Sequence, residues 1–570
     1  MGPRDAAYAR AVKLKRLVVH RFRGIREVDW TVDGPTICLI GPGDSTKTTI
    51  LDAIEWALSP RWSLPTSDAD FYDTNTDEPI VIEATLGELP AGILAEHKFG
   101  LDVRGWGADG LRDEPEEDDE EVLTVRLTID DSLEPRWEVV NDRQADPKVI
   151  SSRDREAFGV SRLGTDVERH LTWGRGSALL RLTDSTEEMG RTLAAAHRGT
   201  REAVNEADME KLEEAAEVAT NAARDLGAGA RDAYAPGLDP AAVGLGAASI
   251  GLHDGAVPVR AAGLGSRRLA ALGIQRASRE GGGIALVDEI ESGLEPHRLR
   301  HLVRRLTADA TGQVIMTTHS EVAIVELTTV ELRVVASADG VTEVRKVDPE
   351  LQAVVRAAPE AFLARRVIVA EGKTEIGLSR ALDAPWGEAF GKPPAEVGIV
   401  TVDGGGGDQA ASRAIALARL GYRTALLVDS DRPLFPPRQD VEAAGVSLFM
   451  WPGDVCTEER IMADLSLDAV RAVVERAREL VDPEVPSNAT NPVADRLGAA
   501  PGTSFDDWIA ASPEADVRNA IAQRAKDGRW FKRIDLGQEL GEIVVAALND
   551  IPESELAKTL TGLGVWAYGE

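Results

Sequence analysis

The chain has very little cysteine and no long apolar run. Its 570 residues include only Cys38 and Cys456, so neither a disulfide framework nor a cysteine-based zinc site is expected. No apolar stretch approaches the ~20 residues that a membrane helix needs. The first residues also lack the apolar core of a signal peptide. Together these absences predict a cytosolic protein.

Positive charge is also scarce. The net charge of −32 argues against loose coating of nucleic acid by a basic surface. It does not exclude an enzyme that acts on phosphodiesters, because carboxylates that bind metal ions themselves add negative charge. The length exceeds what one hydrophobic core usually holds, so two or more domains are expected.

A phosphate-binding loop is predicted near the start of the chain. The apolar strand Ile37 to Ile40 runs into a glycine-containing loop, and a helix is predicted from Lys47 to about Leu58. In such loops backbone N–H groups and a helix N-terminus converge on the phosphates, while lysine supplies charge and Ser or Thr holds Mg²⁺. Lys47 and Thr48 fit these two roles. The predicted cradle for ATP consists of Gly41, Gly43, Asp44, Ser45, Thr46, Lys47, Thr48 and Thr49.

One position of this loop departs from the usual pattern. The pattern G-x-x-x-x-G-K-[ST] has glycine before the lysine, whereas this chain has Thr46. A Cβ atom there restricts the approach of the backbone to phosphate, and Asp44 adds a negative charge. We therefore expect weak ATP binding or slow hydrolysis.

Further along the chain, three elements follow in the order of a known ATPase. The strand Ile284 to Val287 ends in Asp288 and Glu289, the next strand ends at His319, and a glycine-containing segment with Ser266 precedes both. With the loop, this order resembles an ATP-binding-cassette head of the RecF/SMC kind. The resemblance implies that Asp288 is the Walker B magnesium ligand, Glu289 the general base and His319 the switch histidine. Ser266 would meet ATP bound to a second head, which implies a homodimer or a higher homo-oligomer.

A second set of acidic residues follows apolar strands of an alternating strand–helix pattern. Glu371 ends one strand and Glu375 lies four residues on, while Asp429 and Asp431 follow another strand. The alternation predicts a parallel sheet, in which the carboxyl ends of strands share one edge. The four carboxylates are therefore expected to converge. An oxygen cluster of this kind suits Mg²⁺ or Mn²⁺.

This second arrangement resembles the Toprim domain, and the form Glu-Gly-Lys-Thr-Glu at 371–375 resembles the OLD (overcoming lysogenization defect) nucleases. The resemblance implies metal binding, of two ions, at the Glu371, Asp429 and Asp431 positions. It also requires a further acid and a lysine. These could be Glu458 or Glu459 and Lys532 or Lys526; Glu459 and Lys532 are the candidates adopted.

The expected fold class is α/β, with an ATPase head followed by a Toprim domain and a helical tail. The predicted domains are 1–183 and 231–350 for the two parts of the head, 184–230 for a helical insertion that could dimerise, 351–470 for the Toprim domain, and 471–570 for the helical region that completes it.

The family resemblance implies an ATP-regulated, metal-dependent DNA endonuclease that nicks or cuts DNA in defence against phage or plasmids. A UvrD-like helicase is an expected partner, as for the Gabija nuclease subunit. Two alternatives stay open: an ATP-driven DNA-repair or clamp-type binding protein with a non-catalytic Toprim unit, and a Toprim ribonuclease that acts on tRNA.

Overall fold

The computed structural model describes residues 12–144, 146–174, 177–183, 210–229, 232–238, 250–278, 282–308, 312–481 and 484–569. The chain divides into two compact units, with the boundary between Lys346 and Val347. Of the helical insertion predicted for 184–230, residues 184–209 and 230 lie outside the described part. The remainder contains the helix Glu210–Asp225.

The first unit holds seventeen named strands among its described residues, numbered in chain order. They are β1 Lys13–Phe22, β2 Ile25–Thr31, β3 Thr36–Ile40, β4 Ile80–Gly87, β5 Arg104–Gly107, β6 Gly110–Arg112, β7 Glu120–Ile129, β8 Pro135–Val140, β9 Lys148–Val149, β10 Ser161–Leu163, β11 Tyr234–Leu238, β12 Ile250–Asp254, β13 Val257–Pro258, β14 Ile284–Val287, β15 Gln313–Thr317, β16 Leu332–Ala338 and β17 Val341–Lys346.

Fourteen of these strands form one sheet with two different halves. One half is parallel and runs in the order β10-β14-β15-β3-β16. The other half continues through β17, β2, β1, β4 and β7 and is mostly antiparallel. Strand β3 is buried at every position, as expected of a parallel strand covered on both faces, whereas β2 alternates between buried and exposed residues. The functional loops of this unit follow the parallel half.

The helices of the first unit are mostly short. They are Lys47–Leu58, Ser152–Glu156, Val167–His170, Ala178–Arg181, Glu210–Asp225, Leu264–Ala277, Pro296–Thr307 and Glu321–Glu326. The helix Lys47–Leu58 has the predicted bounds and buries Ile50, Ile54 and Ala57 on one side. Those side chains join the strands' apolar residues in one core.

The second unit is built on a four-stranded parallel sheet, which confirms the predicted strand direction. Its strands are β18 Arg366–Ala370, β19 Ile399–Asp403, β20 Arg423–Val428 and β21 Ser447–Met450, in the order β19-β18-β20-β21. Its helices are Gln352–Ala357, Lys373–Ala381, Asp383–Phe390, Pro394–Val397, Gly407–Arg419, Arg438–Ala443, Thr457–Asp464, Leu467–Leu480, Ser487–Arg496, Phe505–Ala511, Glu514–Asp527, Ile534–Leu548 and Glu555–Tyr568.

The predicted helical character of the C-terminal region is also observed. Its helices pack into one core with the sheet, around Trp451, Trp508 and Trp530. Tight contact depends on glycine at one point, where a Cβ atom on Gly377 would come within 2.4 Å of the backbone of Gly537 and Gln538. None of the helices in the described ranges is both long and apolar enough to cross a membrane.

Candidate functional site

The phosphate loop closes tightly around its own lysine. Gly41 has φ 140°, and a Cβ atom there would lie 2.5 Å from the carbonyl oxygen of Val335, so only glycine fits. The Lys47 ammonium donates to the carbonyl oxygens of Gly41 (3.1 Å) and Pro42 (2.7 Å) and to Ser45 Oγ (3.0 Å). Burial lowers the pKa of Lys47 to about 8. The predicted phosphate lysine is therefore held at the mouth of the loop.

Thr46 adopts the backbone conformation that usually calls for glycine. Its φ is 66° and its ψ 12°, in the left-handed region that a β-branched residue rarely enters. The Thr46 hydroxyl donates to the Ser45 carbonyl oxygen at 2.6 Å and lies 3.0 Å from Thr342 Oγ1. Asp44 also has a positive φ of 61°. The missing glycine thus leaves backbone strain in the loop, in addition to the crowding expected from the sequence.

The Walker B candidate Asp288 lies beside the loop. Its Oδ1 accepts hydrogen bonds from Thr48 Oγ1 (3.2 Å) and Thr317 Oγ1 (2.6 Å). Its Oδ2 accepts one from Arg162 Nη2 at 2.7 Å. Asp288 follows β14 and Thr317 ends β15. These two strands pair in parallel, so both residues lie at the same edge of the sheet. Thr48 and Asp288 are thus positioned to hold Mg²⁺ between them.

Glu289, the candidate base, follows Asp288 at a backbone turn. Its φ is 42°, and its N–H donates to Thr317 Oγ1 at 2.8 Å. Its carboxylate accepts from Ser292 Oγ at 2.9 Å and the residue is exposed. A buried Arg268 donates to the carbonyl oxygens of both Asp288 and Glu289 at 2.8 Å. The arginine therefore fixes the turn that presents the two acids.

Two further predicted residues lie on neighbouring elements. Ser266 Oγ accepts a hydrogen bond from Arg298 Nη1 at 3.1 Å. The backbone N–H of His319 donates to Glu291 Oε1 at 2.6 Å, and Thr318 Oγ1 donates to the other oxygen of Glu291 at 2.7 Å. His319 is exposed at the end of β15. Glu291 therefore positions the segment that carries the histidine, a role that the sequence did not single out.

Arg162 is another residue of this site that sequence reasoning missed. It lies in the short edge strand β10, which pairs with β14. No motif in the sequence marks it, because its strand is separated from both the loop and the Walker B strand by more than a hundred residues.

In the second unit, the structure brings the four predicted acids to one edge of the sheet. Glu371 follows β18, and its Oε2 accepts a hydrogen bond from the Asp429 N–H at 2.9 Å. Asp429 Oδ1 accepts from the Thr457 N–H (2.9 Å) and hydroxyl (2.7 Å). Glu375 is buried, and its Oε2 accepts from the Gly372 N–H at 3.0 Å. Asp431 lies beside them and forms an ion pair with Lys526 at 2.9 Å.

Glu458, and not the adopted Glu459, lies with these carboxylates. Glu458 is fully buried and forms an ion pair with Lys532 at 3.0 Å. Glu459 accepts instead from the Cys456 N–H at 2.9 Å, which caps its own helix, and from Gln523 at 2.7 Å. The predicted Lys532 does reach the cluster. Glu458 is therefore the fifth acid of this group of carboxylates.

Burial and mutual repulsion dominate the electrostatics of this acid cluster, defined as Glu371, Glu375, Asp429, Asp431 and Glu458. Burial, reinforced by the charges of Glu375, Glu371 and Glu458, raises the pKa of Asp429 to about 8. Burial also raises the pKa of Glu375. Burial opposes the charge of the half-buried Lys532, but Glu458 and Glu375 outweigh burial and raise its pKa, which favours the charged ammonium.

Three buried oxygens of the cluster have no hydrogen-bond partner among the described residues. They are Glu375 Oε1 and both carboxylate oxygens of Glu458, whose contact with Lys532 is close but lacks hydrogen-bond geometry. Buried charged oxygens without partners are costly, and a cation satisfies them. A cavity of about 300 Å³ opens beside the cluster. Its lining includes Glu371, Asp429, Asp431, Arg432 and the glycine loop Gly405–Gly407. Carboxylate oxygens are the donors that hard divalent ions prefer, so the chemistry of this cluster fits such an ion.

The present side-chain positions do not yet form a metal-binding geometry. Within the ranges that the structure describes, no group of three or more His, Cys, Asp or Glu side chains is arranged to hold a metal ion. Two of the five acids are instead paired with lysines, Asp431 with Lys526 and Glu458 with Lys532. Binding of a metal by all five would require these two carboxylates to exchange lysine for the ion.

Residues 37–326 match the protein-family model described as "AAA domain, putative AbiEii toxin, Type IV TA system". No curated protein matches the chain. Three solved SMC head domains are similar to it, each at 14% sequence identity. A head bound to the C-winged helix domain of ScpA covers 59% of this chain and 98% of its own, with a TM-score of 0.36. A Pyrococcus furiosus head with an extended coiled coil, bound to the C-terminal domain of ScpA, covers 60% and 97%, with a TM-score of 0.38. The Thermotoga maritima head covers 59% and 99%, with a TM-score of 0.31.

Proposed function

Since the chain belongs to the AAA-domain family whose model spans residues 37–326, we propose that it is an ATP-regulated, divalent-metal-dependent DNA endonuclease. Residues 37–326 supply the ATPase domain. The finer proposal is that this domain is an SMC-like head of the ABC type, and that the second unit is a Toprim nuclease domain of the OLD kind.

At the nucleotide site, each residue has a defined task. Lys47 binds the phosphates, and Thr48 with Asp288 would hold Mg²⁺, which when bound neutralises phosphate charge. Glu289 is exposed next to Asp288, where it can accept a proton from an attacking water. Ser266 would complete the site from the head of a second subunit. The strained Thr46 favours slow turnover, so that this domain acts as an ATP sensor more than as a motor.

At the acid cluster, Glu371, Glu375, Asp429, Asp431 and Glu458 would hold one or two ions of Mg²⁺ or Mn²⁺. Such ions activate water and stabilise the leaving oxygen of a phosphodiester. Lys532 supplies a positive charge beside Glu458, and Arg432 lines the cavity where a phosphate would enter. The observation that carries this proposal is the set of buried oxygens on Glu375 and Glu458 that lack hydrogen-bond partners among the described residues.

The proposed biological setting is defence against phage or plasmid DNA. The family description names a putative AbiEii toxin of a type IV TA system, and a toxin is compatible with a defence role. A homodimer through the ATPase heads and a UvrD-like helicase partner follow from the OLD and Gabija resemblance.

One observation favours a second candidate function. Because two of the acids are paired with lysines and no ready metal geometry is present in the described residues, the second unit could serve as a scaffold. The chain would then be an ATP-driven DNA-binding protein of the repair or clamp type. That protein would bind DNA with the same affinity when the acid cluster is disrupted.

The test is cleavage of supercoiled and linear DNA with Mg²⁺ or Mn²⁺, with and without ATP, for the wild type and Glu371→Ala. We expect the wild type to cleave DNA and the variant to lose this activity. The lanes with ATP show whether ATP activates or inhibits cleavage. A parallel lane with tRNA tests the ribonuclease alternative. If the wild type binds DNA but cleaves neither DNA nor tRNA, the chain is instead the DNA-binding protein of the second candidate function.

A further inference from the structure

Arg162 connects the nucleotide site to the helix that follows the phosphate loop. Its side chain is only 8% exposed. One terminal nitrogen, Nη2, donates to Asp288 Oδ2 at 2.7 Å, and the other, Nη1, donates to Asp52 Oδ1 at 2.8 Å. A buried arginine between two carboxylates is a strong ionic contact, since hydrogen bonds between charged groups exceed neutral ones. Asp288 is therefore held by a positive charge before any ion arrives.

Both oxygens of Asp288 are engaged while this contact persists. Its Oδ1 already accepts from the hydroxyls of Thr48 and Thr317. Its Oδ2 is the remaining acceptor, and Arg162 takes it. A magnesium ion held by Thr48 and Asp288 would be repelled by a guanidinium at hydrogen-bond distance from the same carboxylate. The two cations are therefore competitors.

We propose, on the basis of the ATP–Mg²⁺ site proposed above, that Arg162 is a positioning residue that stands in the place of Mg²⁺ at Asp288 in the nucleotide-free protein, and that Mg²⁺ bound with ATP displaces it. The competition sets how much Mg²⁺ the site needs. ATP without the metal leaves the arginine on Asp288.

The surroundings of Arg162 allow this displacement at small cost. Asp52 remains as a partner after Asp288 is released, and Glu55 Oε2 lies 3.8 Å from Nη1. Asp52 and Glu55 both belong to the helix Lys47–Leu58, so the displaced arginine would stay paired with the helix that begins at the phosphate-binding lysine. The Nε–H of Arg162 is buried without a hydrogen-bond partner among the described residues. Its present position therefore leaves one donor unsatisfied.

The experiment measures binding of a fluorescent ATP analogue to the full chain over a range of Mg²⁺ concentrations. Arg162→Gln removes the competing charge, and we expect half-maximal metal dependence at an Mg²⁺ concentration about tenfold lower than in the wild type, since a neighbouring charge typically changes cation affinity of a carboxylate by at least this factor. Binding measured in EDTA stays as in the wild type. Arg162→Lys, which keeps the charge but cannot bridge Asp52 and Asp288 with a planar fork, gives an intermediate value.

The matched control is Arg333→Gln. Arg333 is also a buried arginine of the first unit, 4% exposed and paired with Asp33 at 2.9 Å, but it contacts none of the nucleotide-site residues. Its variant leaves the metal dependence unchanged. An unchanged or higher Mg²⁺ requirement in Arg162→Gln overturns the proposal. Equal loss of binding with and without Mg²⁺ also overturns it, because Arg162 would then be a phosphate ligand. If Arg162→Gln does not fold, the lysine variant decides by the same criterion.

Discussion

The two acidic sites of this chain balance their charges in opposite ways. In the first unit, both oxygens of Asp288 are engaged, by hydroxyls on one side and by Arg162 on the other. In the second unit, buried oxygens of Glu375 and Glu458 lack hydrogen-bond partners among the described residues, and the pKa of Asp429 is raised to about 8.

This difference shows how one residue type supports two kinds of cation site. Where an arginine compensates the acid, the empty site is stable and an incoming ion must compete. Where acids crowd together in a buried place, a proton or a metal ion is needed to relieve them. The first arrangement suits a site that senses a nucleotide with its metal, and the second suits a site that keeps metal for catalysis.

The largest expected effect distinguishes two neighbouring acids of the second site. We expect Glu458→Gln to reduce metal-dependent DNA cleavage by about a hundredfold or more, because it removes a buried charged ligand. Glu459→Gln is the matched control: its amide oxygen can still accept from the Cys456 N–H, and the residue lies outside the acid cluster, so cleavage should change little. Rates of plasmid nicking measure both. The reverse result would return the catalytic role to Glu459, the residue first adopted from the sequence.

A smaller effect is expected in the first unit, at the strained loop. Thr46→Gly removes the left-handed strain, which costs roughly 1–2 kcal/mol, but it raises the entropy of the unfolded chain. We expect a net gain of about 1 kcal/mol and tighter ATP binding. Thermal melting and ATP titration check this. Thr46→Ala keeps the Cβ atom in the same conformation and loses only the hydroxyl contacts, so it should not gain stability; if it gains as much as glycine, strain is not the cause.

A third expected effect is a dependence of stability on pH. Because the pKa of Asp429 is about 8 in the folded state and 3.8 is its ordinary value, the folded state holds the extra proton between these values. The free energy of unfolding therefore falls as the pH rises from about 4 to about 8. In EDTA we expect the melting temperature to fall by about 2–4 °C for each 1 kcal/mol lost.

Asp429→Asn should flatten this decline, since the amide does not titrate. Mn²⁺ should stabilise the wild type more at pH 8 than at pH 6, because the ion binds the deprotonated carboxylate. Asp506→Asn is the control, as Asp506 is exposed and Arg471 lowers its pKa, so it contributes nothing in this range. A decline that persists unchanged in Asp429→Asn would assign it to another group.

Much of both sites could be predicted from the sequence because local pattern decides it. The helix Lys47–Leu58 has the bounds expected from its apolar spacing, and the strands before Asp288, Glu371 and Asp429 form as predicted. Acids that directly follow parallel strands must meet at one edge of the sheet, whatever the rest of the chain does.

The choice between neighbouring residues could not be predicted in this way. Glu458 and Glu459 differ by about 100° around their helix, and only packing decides which of them faces the sheet. Lys526 and Lys532 were interchangeable in the sequence, whereas the structure gives each a different acid, Asp431 and Glu458.

The sequence by itself determined which residues end the strands and begin the helices, because hydrophobic period and loop chemistry are local. Only the tertiary structure decided what surrounds them. Arg162 reaches Asp288 because the edge strand β10 pairs with β14, a contact between segments far apart in the chain. The left-handed conformation of Thr46 and the buried oxygens of Glu458 likewise arise from packing, since burial and backbone strain depend on neighbours that no local pattern specifies.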